Sequence, residues 1–144
     1  MIHLCNDDHY FLEICDKLNL PKLKNIPLTQ DKLYQLMIAG LYNKSILTYI
    51  SLDGDKLNGC LILAILDTIL GEKVISLVFT WIDPHYPNLY KEFINLAEEK
   101  AKELEINKIC FQTNRKEAVI NRKMGKYGFN KSFSVYEKNL KEVI

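Results

Sequence analysis

The sequence has few arginines, no closely spaced cysteine pair and no long apolar run. Arg115 and Arg122 are the only arginines among 19 basic residues, so a guanidinium can bind phosphate or carboxylate at two places only. The four cysteines are scattered and the three histidines lack metal-ligand spacing, so we expect reduced cysteines and no metal site. The most apolar stretch, 60–70, is interrupted by Asp67 and is too short to span a bilayer.

The amino terminus also lacks the marks of a signal peptide. Residues 1–5 are followed directly by acidic residues, with no basic start and no long apolar run, so we expect a soluble cytoplasmic protein without a membrane partner. The formal charge of +1 provides no strong overall field to attract nucleic acid. The length of 144 residues and the hydrophobic content of 48% indicate one folded domain, 1–144, with a usable core.

Hydrophobic periodicity predicts a mixed α/β (α+β) fold. Helical spacing after the caps Asn6 or Asp7 and Thr29 predicts two early helices. Strand patterns separated by turn signals then predict an antiparallel meander, and a strongly amphipathic helix follows it. The predicted strands are 2–5, 46–52, 57–70, 74–82, 108–113 and 132–137, and the later helices are 89–104 and 116–127, the last ended by Gly128.

Three short motifs occur in a characteristic order along these elements. They are Ile82-Asp83-Pro84-His85-Tyr86 after the fourth strand, Lys126-Tyr127-Gly128-Phe129 at the end of the last helix, and Val135-Tyr136-Glu137-Lys138-Asn139-Leu140 in the final strand. In this order the chain resembles the GNAT superfamily, the acyl-CoA-dependent N-acetyltransferases, over roughly two-thirds of its length. The resemblance implies a mainly antiparallel sheet, flanked by helices, whose fourth and fifth strands splay apart around acetyl-CoA.

The segment after Asp83-Pro84 departs from the family pattern. Members carry Arg-Gly-x-Gly-x-Gly or Ala there, and the small residues let main-chain N–H groups at a helix start reach the pyrophosphate of CoA. This sequence has no glycine between 87 and 92. We expect Asn88 to cap the helix, Glu92 to place a negative charge near a pyrophosphate, and Lys91 to offset that charge.

The last helix departs at the family's usual proton donor. An ungapped alignment on Gly128 places Met124 where many members carry the tyrosine that protonates the leaving CoA thiolate, and Glu117 where an asparagine often touches the cofactor. Methionine has no such proton. Tyr127 is nearby, but an offset of three residues moves it along the axis and about 60° around the helix. Tyr127 is therefore a candidate acid only through its proximity in sequence.

The resemblance implies a set of site residues around the strand gap. In the family the acyl carbonyl bonds to fourth-strand backbone, and basic side chains hold the phosphates of CoA. The residues so implied for acetyl-CoA or CoA are Phe79, Thr80, Trp81, Ile82, Lys91, Asn114, Arg115 and Arg122. His85 and Glu92 are candidate bases for the attacking amine. Core packing is the competing interpretation of Phe79 and Trp81.

Basic residues concentrate around the last helix, and three interpretations stay open. The cluster could be a solvated face, or it could hold the phosphates of CoA. It could also touch nucleic acid, but the interleaved Glu117 and the near-neutral total charge argue against this. Its members are Arg115, Lys116, Arg122, Lys123, Lys126 and Lys131. Asn114-Arg115 also resembles a pair in phage-encoded members without the glycine loop, which suggests a viral or mobile-element origin.

Two functions follow from these patterns. The first is a divergent acyl-CoA-dependent N-acetyltransferase that acts on an amine of a small molecule or peptide, the acceptor being undefined. The second is a catalytically inactive GNAT-fold binding or structural protein, because the glycine loop, the asparagine and the tyrosine are all lost. In either case the edge strand after Gly128 could pair with a second chain and form a homodimer.

Overall fold

The computed structural model describes residues 2–20, 28–112, 117–132, 136, 138 and 140. It forms two compact units, Met1–Asn114 and Arg115–Ile144, and each is described by itself. The first unit comprises β1 (Ile2–Leu4), α1 (Asp8–Asp16), α2 (Gln30–Gly40), β2 (Ile46–Asp53), β3 (Lys56–Asp67), β4 (Lys73–Ile82), α3 (Leu89–Glu103) and β5 (Ile109–Cys110). A short 3-10 helix, Lys17–Asn19, follows α1.

The strands form one sheet in the order β1-β2-β3-β4-β5. Strands β1 to β4 pair with one another in antiparallel orientation, and β5 pairs with β4 in parallel. The predicted meander and the mixed, mainly antiparallel sheet are therefore confirmed. The predicted strand 57–70 ends earlier, because Thr68 turns the chain: its main-chain N–H donates to Glu72 O at 2.8 Å, and its hydroxyl accepts from Glu72 N.

Side-chain caps begin the first two helices as expected. Asp7 accepts a hydrogen bond from His9 N at 2.9 Å, and Thr29 accepts one from Lys32 N at 3.2 Å. Each bond satisfies a main-chain donor that the first turn of the helix leaves unpaired. The expectation for Asn88 is wrong: its backbone is already helical and its side chain makes no capping bond to α3.

The main core lies between the sheet and the pair α1 and α2. All of its side chains are at most 6% exposed. A fully buried Leu, Ile, Met or Phe side chain contributes roughly 1.5–3 kcal/mol to the stability of the fold. The core comprises Cys5, Phe11, Ile14, Cys15, Leu33, Met37, Ile50, Leu57, Cys60, Ile62 and Phe79. The four cysteines are free thiols, and three of them are buried as small apolar residues, as expected.

Helix α3 covers the opposite face of the sheet. A Cβ added at Gly59 would lie 2.5 Å from Leu89 Cδ2 and 3.1 Å from Phe93 Cε2, so this glycine permits close packing of the helix on β3. Cys60, the next residue, belongs to the core under α1 and α2, and successive strand residues point to opposite faces. The two faces of β3 are thus covered by different helices.

The second unit contains α4 (Glu117–Met124) and a 3-10 helix, Gly125–Tyr127. Gly128 ends the latter at φ 87°, a left-handed conformation that suits glycine, and the predicted stop is correct. The predicted strand 132–137 lies largely outside the described residues. None of the helices in the described part of the chain is long and apolar enough to cross a membrane.

Candidate functional site

Strands β4 and β5 pair over a very short length. Their register contains two residue pairs, Ile75 with Ile109 and Ser76 with Cys110. Strand β4 then continues for six further residues to Ile82, whereas β5 ends at Cys110 and not at the predicted residue 113. Among the described residues, no strand is paired with the β5 side of this last part of β4.

A β-bulge in β4 lies where the two strands part. Ile62 of β3 pairs with Phe79 and the next residue, Leu63, pairs with Leu77, so Val78 is the extra residue of β4. A bulge of this kind bends and twists the strand that carries it. The bulge therefore changes the course of β4 at the start of the segment 79–82 that sequence analysis selected.

The main chain of this segment presents polar groups to the edge of β4 away from β3. The Asp83 N–H donates to Asn58 O of β3 at 2.8 Å. Because main-chain groups alternate between the two edges of a strand, those of Thr80 and Ile82 are directed to the edge away from β3. These groups are suited to bond an extended ligand in the way a fifth strand would.

The two aromatic residues of the segment differ in burial, although Trp81 also packs against the main core. Phe79 is 3% exposed and belongs to the core, so the packing interpretation holds for it. Trp81 is half-buried, and the Lys17 ammonium lies 4.2 Å from the centre of its ring. The contact between Lys17 and Trp81 was not predicted, because no local pattern connects positions 64 residues apart.

Asp83 and His85 form a hydrogen-bonded pair at the end of β4. The Asp83 carboxylate accepts from the His85 main-chain N–H at 2.9 Å and contacts His85 Nδ1 at 2.8 Å, and Lys56 Nζ lies 3.8 Å away. These bonds from His85 hold the pKa of Asp83 below its usual value. The contact occupies Nδ1, so Nε2 of the exposed imidazole is the nitrogen able to take a proton from a ligand.

A cavity of about 440 Å³ lies beside this pair, between the β2–β3 turn and the start of α3. The candidate bases His85 and Glu92, which are seven positions apart in sequence, both line it. Tyr86, Asp53 and Asn58 line it too. The Tyr86 hydroxyl donates to Asp53 Oδ2, and this bond raises the pKa of the tyrosine and keeps it protonated. Asp53 and Asn58 were not among the predicted site residues.

The other predicted residues are distributed over both units. Lys91 and Glu92 are exposed in the first turn of α3. Arg122, which is exposed, and Tyr127, which is half-buried with Lys126 Nζ 5.2 Å from its ring centre, belong to the second unit. Asn114 and Arg115 lie outside the described residues. The described residues contain no group of three His, Cys, Asp or Glu side chains placed to hold a metal ion.

The fold has many similar solved structures, although no family model and no curated protein sequence matches the chain. A predicted acetyltransferase with acetyl-CoA from Clostridium acetobutylicum has a TM-score of 0.72 at 19% identity, with 99% of each chain covered. An aminoglycoside 6'-N-acetyltransferase from Acinetobacter haemolyticus has 0.73 at 16%, with 98% of each covered. A transcriptional regulator from Bacillus halodurans has 0.76 at 13%, with 97% of this chain and 99% of that chain covered.

Identities of this size establish a shared fold and leave activity open. The similarity extends over nearly the whole chain. The resemblance noted in the sequence is therefore confirmed at the level of the fold. The protein has the GNAT fold of the acetyltransferases.

Proposed function

We propose that the protein is an N-acetyltransferase that transfers an acetyl group from acetyl-CoA to an amine of a small molecule or peptide. The observation that carries the proposal is the parting of β4 from β5 after Ser76. Beyond Ser76, no strand of the described residues pairs with the outer edge of β4, and one structural neighbour is described with acetyl-CoA. A cytoplasmic location is part of the proposal.

The residues along this edge fit the acyl end of acetyl-CoA. The main-chain N–H groups of Thr80 and Ile82, which are directed away from β3, can donate to the thioester carbonyl oxygen. Donors held in place by a strand stabilise the charge that develops on such an oxygen without reorganisation. Bound acetyl-CoA supplies the activated acetyl group, and the chain's own residues orient it.

Phosphate binding would depend on side chains rather than on a glycine loop. Lys91 is exposed in the first turn of α3, where the helix dipole also favours an anion. Arg122, Asn114 and Arg115 complete the proposed set through the family resemblance alone. Glu92, which is exposed in the same turn as Lys91, opposes an anion there and weakens binding.

The acceptor amine must lose a proton before it attacks. His85 suits this step because Asp83 holds its Nδ1, fixes the ring orientation and stabilises the imidazolium that forms. The imidazole Nε2 accepts the proton, and the amine nitrogen becomes the nucleophile. Glu92 is the second candidate base on the same cavity. Tyr127 stays a candidate donor to the leaving thiolate through its position in sequence.

The test combines calorimetry with a turnover assay. Acetyl-CoA and desulfo-CoA are titrated into the protein, and release of free CoA thiol is followed with a panel of small amines and amino-terminal peptides. We expect saturable binding and amine-dependent thiol release. His85→Gln should lower kcat by about 10²-fold with a smaller change in KM. The matched control is His9→Gln, since His9 is exposed on α1 and does not line the cavity.

A GNAT-fold binding protein without catalysis is the second candidate. The exposed carboxylate of Glu92 in the first turn of α3, together with the absence of glycine there, favours it. This candidate predicts no saturable acetyl-CoA binding at millimolar concentration and no amine-dependent thiol release. Binding of acetyl-CoA with turnover would contradict it.

A further inference from the structure

Large apolar side chains are exposed at the end of the sheet that carries the β3–β4 turn. Ile69 and Leu70 of this turn are at least 90% exposed, and Tyr42, which follows α2, is 88% exposed. Leu66 at the end of β3 is 49% exposed, and Leu41 beside Tyr42 is 42% exposed. Single exposed apolar side chains are normal, whereas a group of them at one place indicates an interaction surface.

The end of α2 and the pairing of β2 with β3 bring these residues to the same end of the first unit. A Cβ added at Gly40, the last residue of α2, would lie 2.8 Å from Ile46 O at the start of β2. The Ile65 main-chain N–H donates to Ser45 O at 2.7 Å, so the connection from α2 to β2 runs beside the last residues of β3. The hairpin patch is defined as Leu41, Tyr42, Leu66, Ile69 and Leu70.

Hydrogen bonds within the β3–β4 turn order its two apolar residues. The Thr68 main-chain N–H donates to Glu72 O at 2.8 Å, and its hydroxyl accepts from Glu72 N at 3.2 Å. The Gly71 N–H donates to Thr68 O at 2.9 Å, and Gly71 adopts φ 78°, a conformation that suits glycine. A turn that is already ordered loses little conformational freedom when it binds a partner, which favours its use as a contact.

The charges around the hairpin patch are nearly balanced. Lys73 Nζ lies 3.8 Å from the Asp67 carboxylate, and Lys108 Nζ lies 3.0 Å from the Glu72 carboxylate. Lys44, which is exposed just before β2, adds one positive charge. Surfaces that bind anionic lipid carry clusters of about four to eight basic residues, and these described residues form no such cluster. The balance disfavours an anionic membrane and permits the patch to face a copy of itself.

We propose that the hairpin patch is the contact surface of a two-fold symmetric homodimer. A two-fold axis opposes this surface with the same surface of the second chain, so lysines of one rim face acids of the other. With about 200 Å² for each fully exposed large side chain, the exposed fractions of the patch amount to roughly 700 Å². An interface of standard size takes about 800 Å² from each partner, so the patch supplies most of that area.

This surface is separate from the proposed acetyl transfer and from the edge strand after Gly128. It lies at the start of β4, whereas the segment 79–82 lies at the other end of that strand. The dimer therefore does not depend on acetyl-CoA, and failure of one proposal leaves the other standing.

Sedimentation equilibrium of the full chain, from low to high micromolar concentration, tests the proposal. We expect a molar mass twice that of one chain. Ile69→Glu and Tyr42→Glu should each raise the dissociation constant at least about tenfold, because each places a charge within the apolar contact. Both positions are exposed, so the variants fold.

The matched control is Leu12→Glu, at an exposed leucine of α1. Helix α1 contacts the β2–β3 turn, at the other end of the sheet, through a hydrogen bond from the Tyr10 hydroxyl to Asp55 O at 3.5 Å. This variant should leave the dissociation constant unchanged.

A chain that stays monomeric at high micromolar concentration, or a dimer that Ile69→Glu leaves intact, would overturn the proposal. The second outcome would point to the edge strand after Gly128. Flotation with phosphatidylcholine vesicles, with and without phosphatidylserine, tests the membrane as the partner. Binding of the monomer to either vesicle, lost in Ile69→Glu, would assign the patch to a membrane and overturn the dimer.

Discussion

The Nδ1 atom of His85 lies 2.8 Å from Oδ1 of Asp83, immediately after β4 ends. The contact spans two residues along the chain, so the turn after the strand sets both the carboxylate and the imidazole. The carboxylate side chain is 12% exposed and the imidazole 88%, so the pair joins a protected anchor to an accessible ring. A positioned imidazole of this kind is what the proposed proton transfer needs.

The stability of the protein should fall at acid pH partly through Asp83. Hydrogen bonds from the His85 main chain and ring hold the Asp83 pKa below 3.8 in the folded state, so its contribution is fully present above that value. The contribution is lost as the pH falls through the folded-state pKa. Asp83→Asn should therefore flatten the pH dependence of the urea midpoint below about pH 4 and lower the midpoint at pH 7. An unchanged slope would contradict this, and Asp67→Asn is the control.

The thiols should differ sharply in reactivity. Cys60 is completely buried, and burial raises the pKa of its thiol to about 12, whereas Cys110 is exposed. Because the thiolate is the reactive form, we expect one thiol to react rapidly with a disulfide reagent in the native protein and all four after unfolding. Cys110→Ser should abolish the rapid phase, and a rapid phase that survives this change would contradict the expected burial.

Gly59→Ala should destabilise the first unit. The added methyl group would lie 2.5 Å from Leu89 and 3.1 Å from Phe93, and both side chains are buried, so α3 must shift. We expect the free energy of unfolding to fall by about 1–3 kcal/mol in urea denaturation. Gly125→Ala is the control, because a Cβ there meets no atom within 4 Å, and it should change stability by less than about 1 kcal/mol.

Lys17→Met should alter the surroundings of Trp81. The ammonium lies 4.2 Å from the ring centre, and methionine keeps much of the side-chain length while it removes the charge. We expect a loss of about 0.5–1 kcal/mol in stability and a shift in fluorescence emission. Trp81 is the single tryptophan, so its emission reports this place alone. Lys44→Met, at an exposed position, should leave emission unchanged, and the same emission in Lys17→Met would argue against the contact.

Much of the fold could be predicted because its signals are local. Thr29 caps α2 through a bond to Lys32, three residues away, and Gly128 ends a helix through its own backbone conformation. The bounds of β2, β4 and α3 agree with the predicted ones to within a residue. The prediction of a cap at Asn88 is wrong because the chain enters α3 already in a helical conformation, which the identity of one residue does not reveal.

The sequence by itself determined the order of elements, the caps and the segment 79–85 as the region of interest, since periodicity and turn chemistry act between near neighbours. Only the tertiary structure decided that the pairing of β4 with β5 ends after Ser76. It also decided that Phe79 belongs to the core while Trp81 contacts Lys17. The same holds for the cavity that Asn58 lines together with His85 and Glu92. These relations depend on strand register, the bulge at Val78 and the packing of α3 on Gly59. Each of them joins residues far apart in sequence, where no local pattern carries the information.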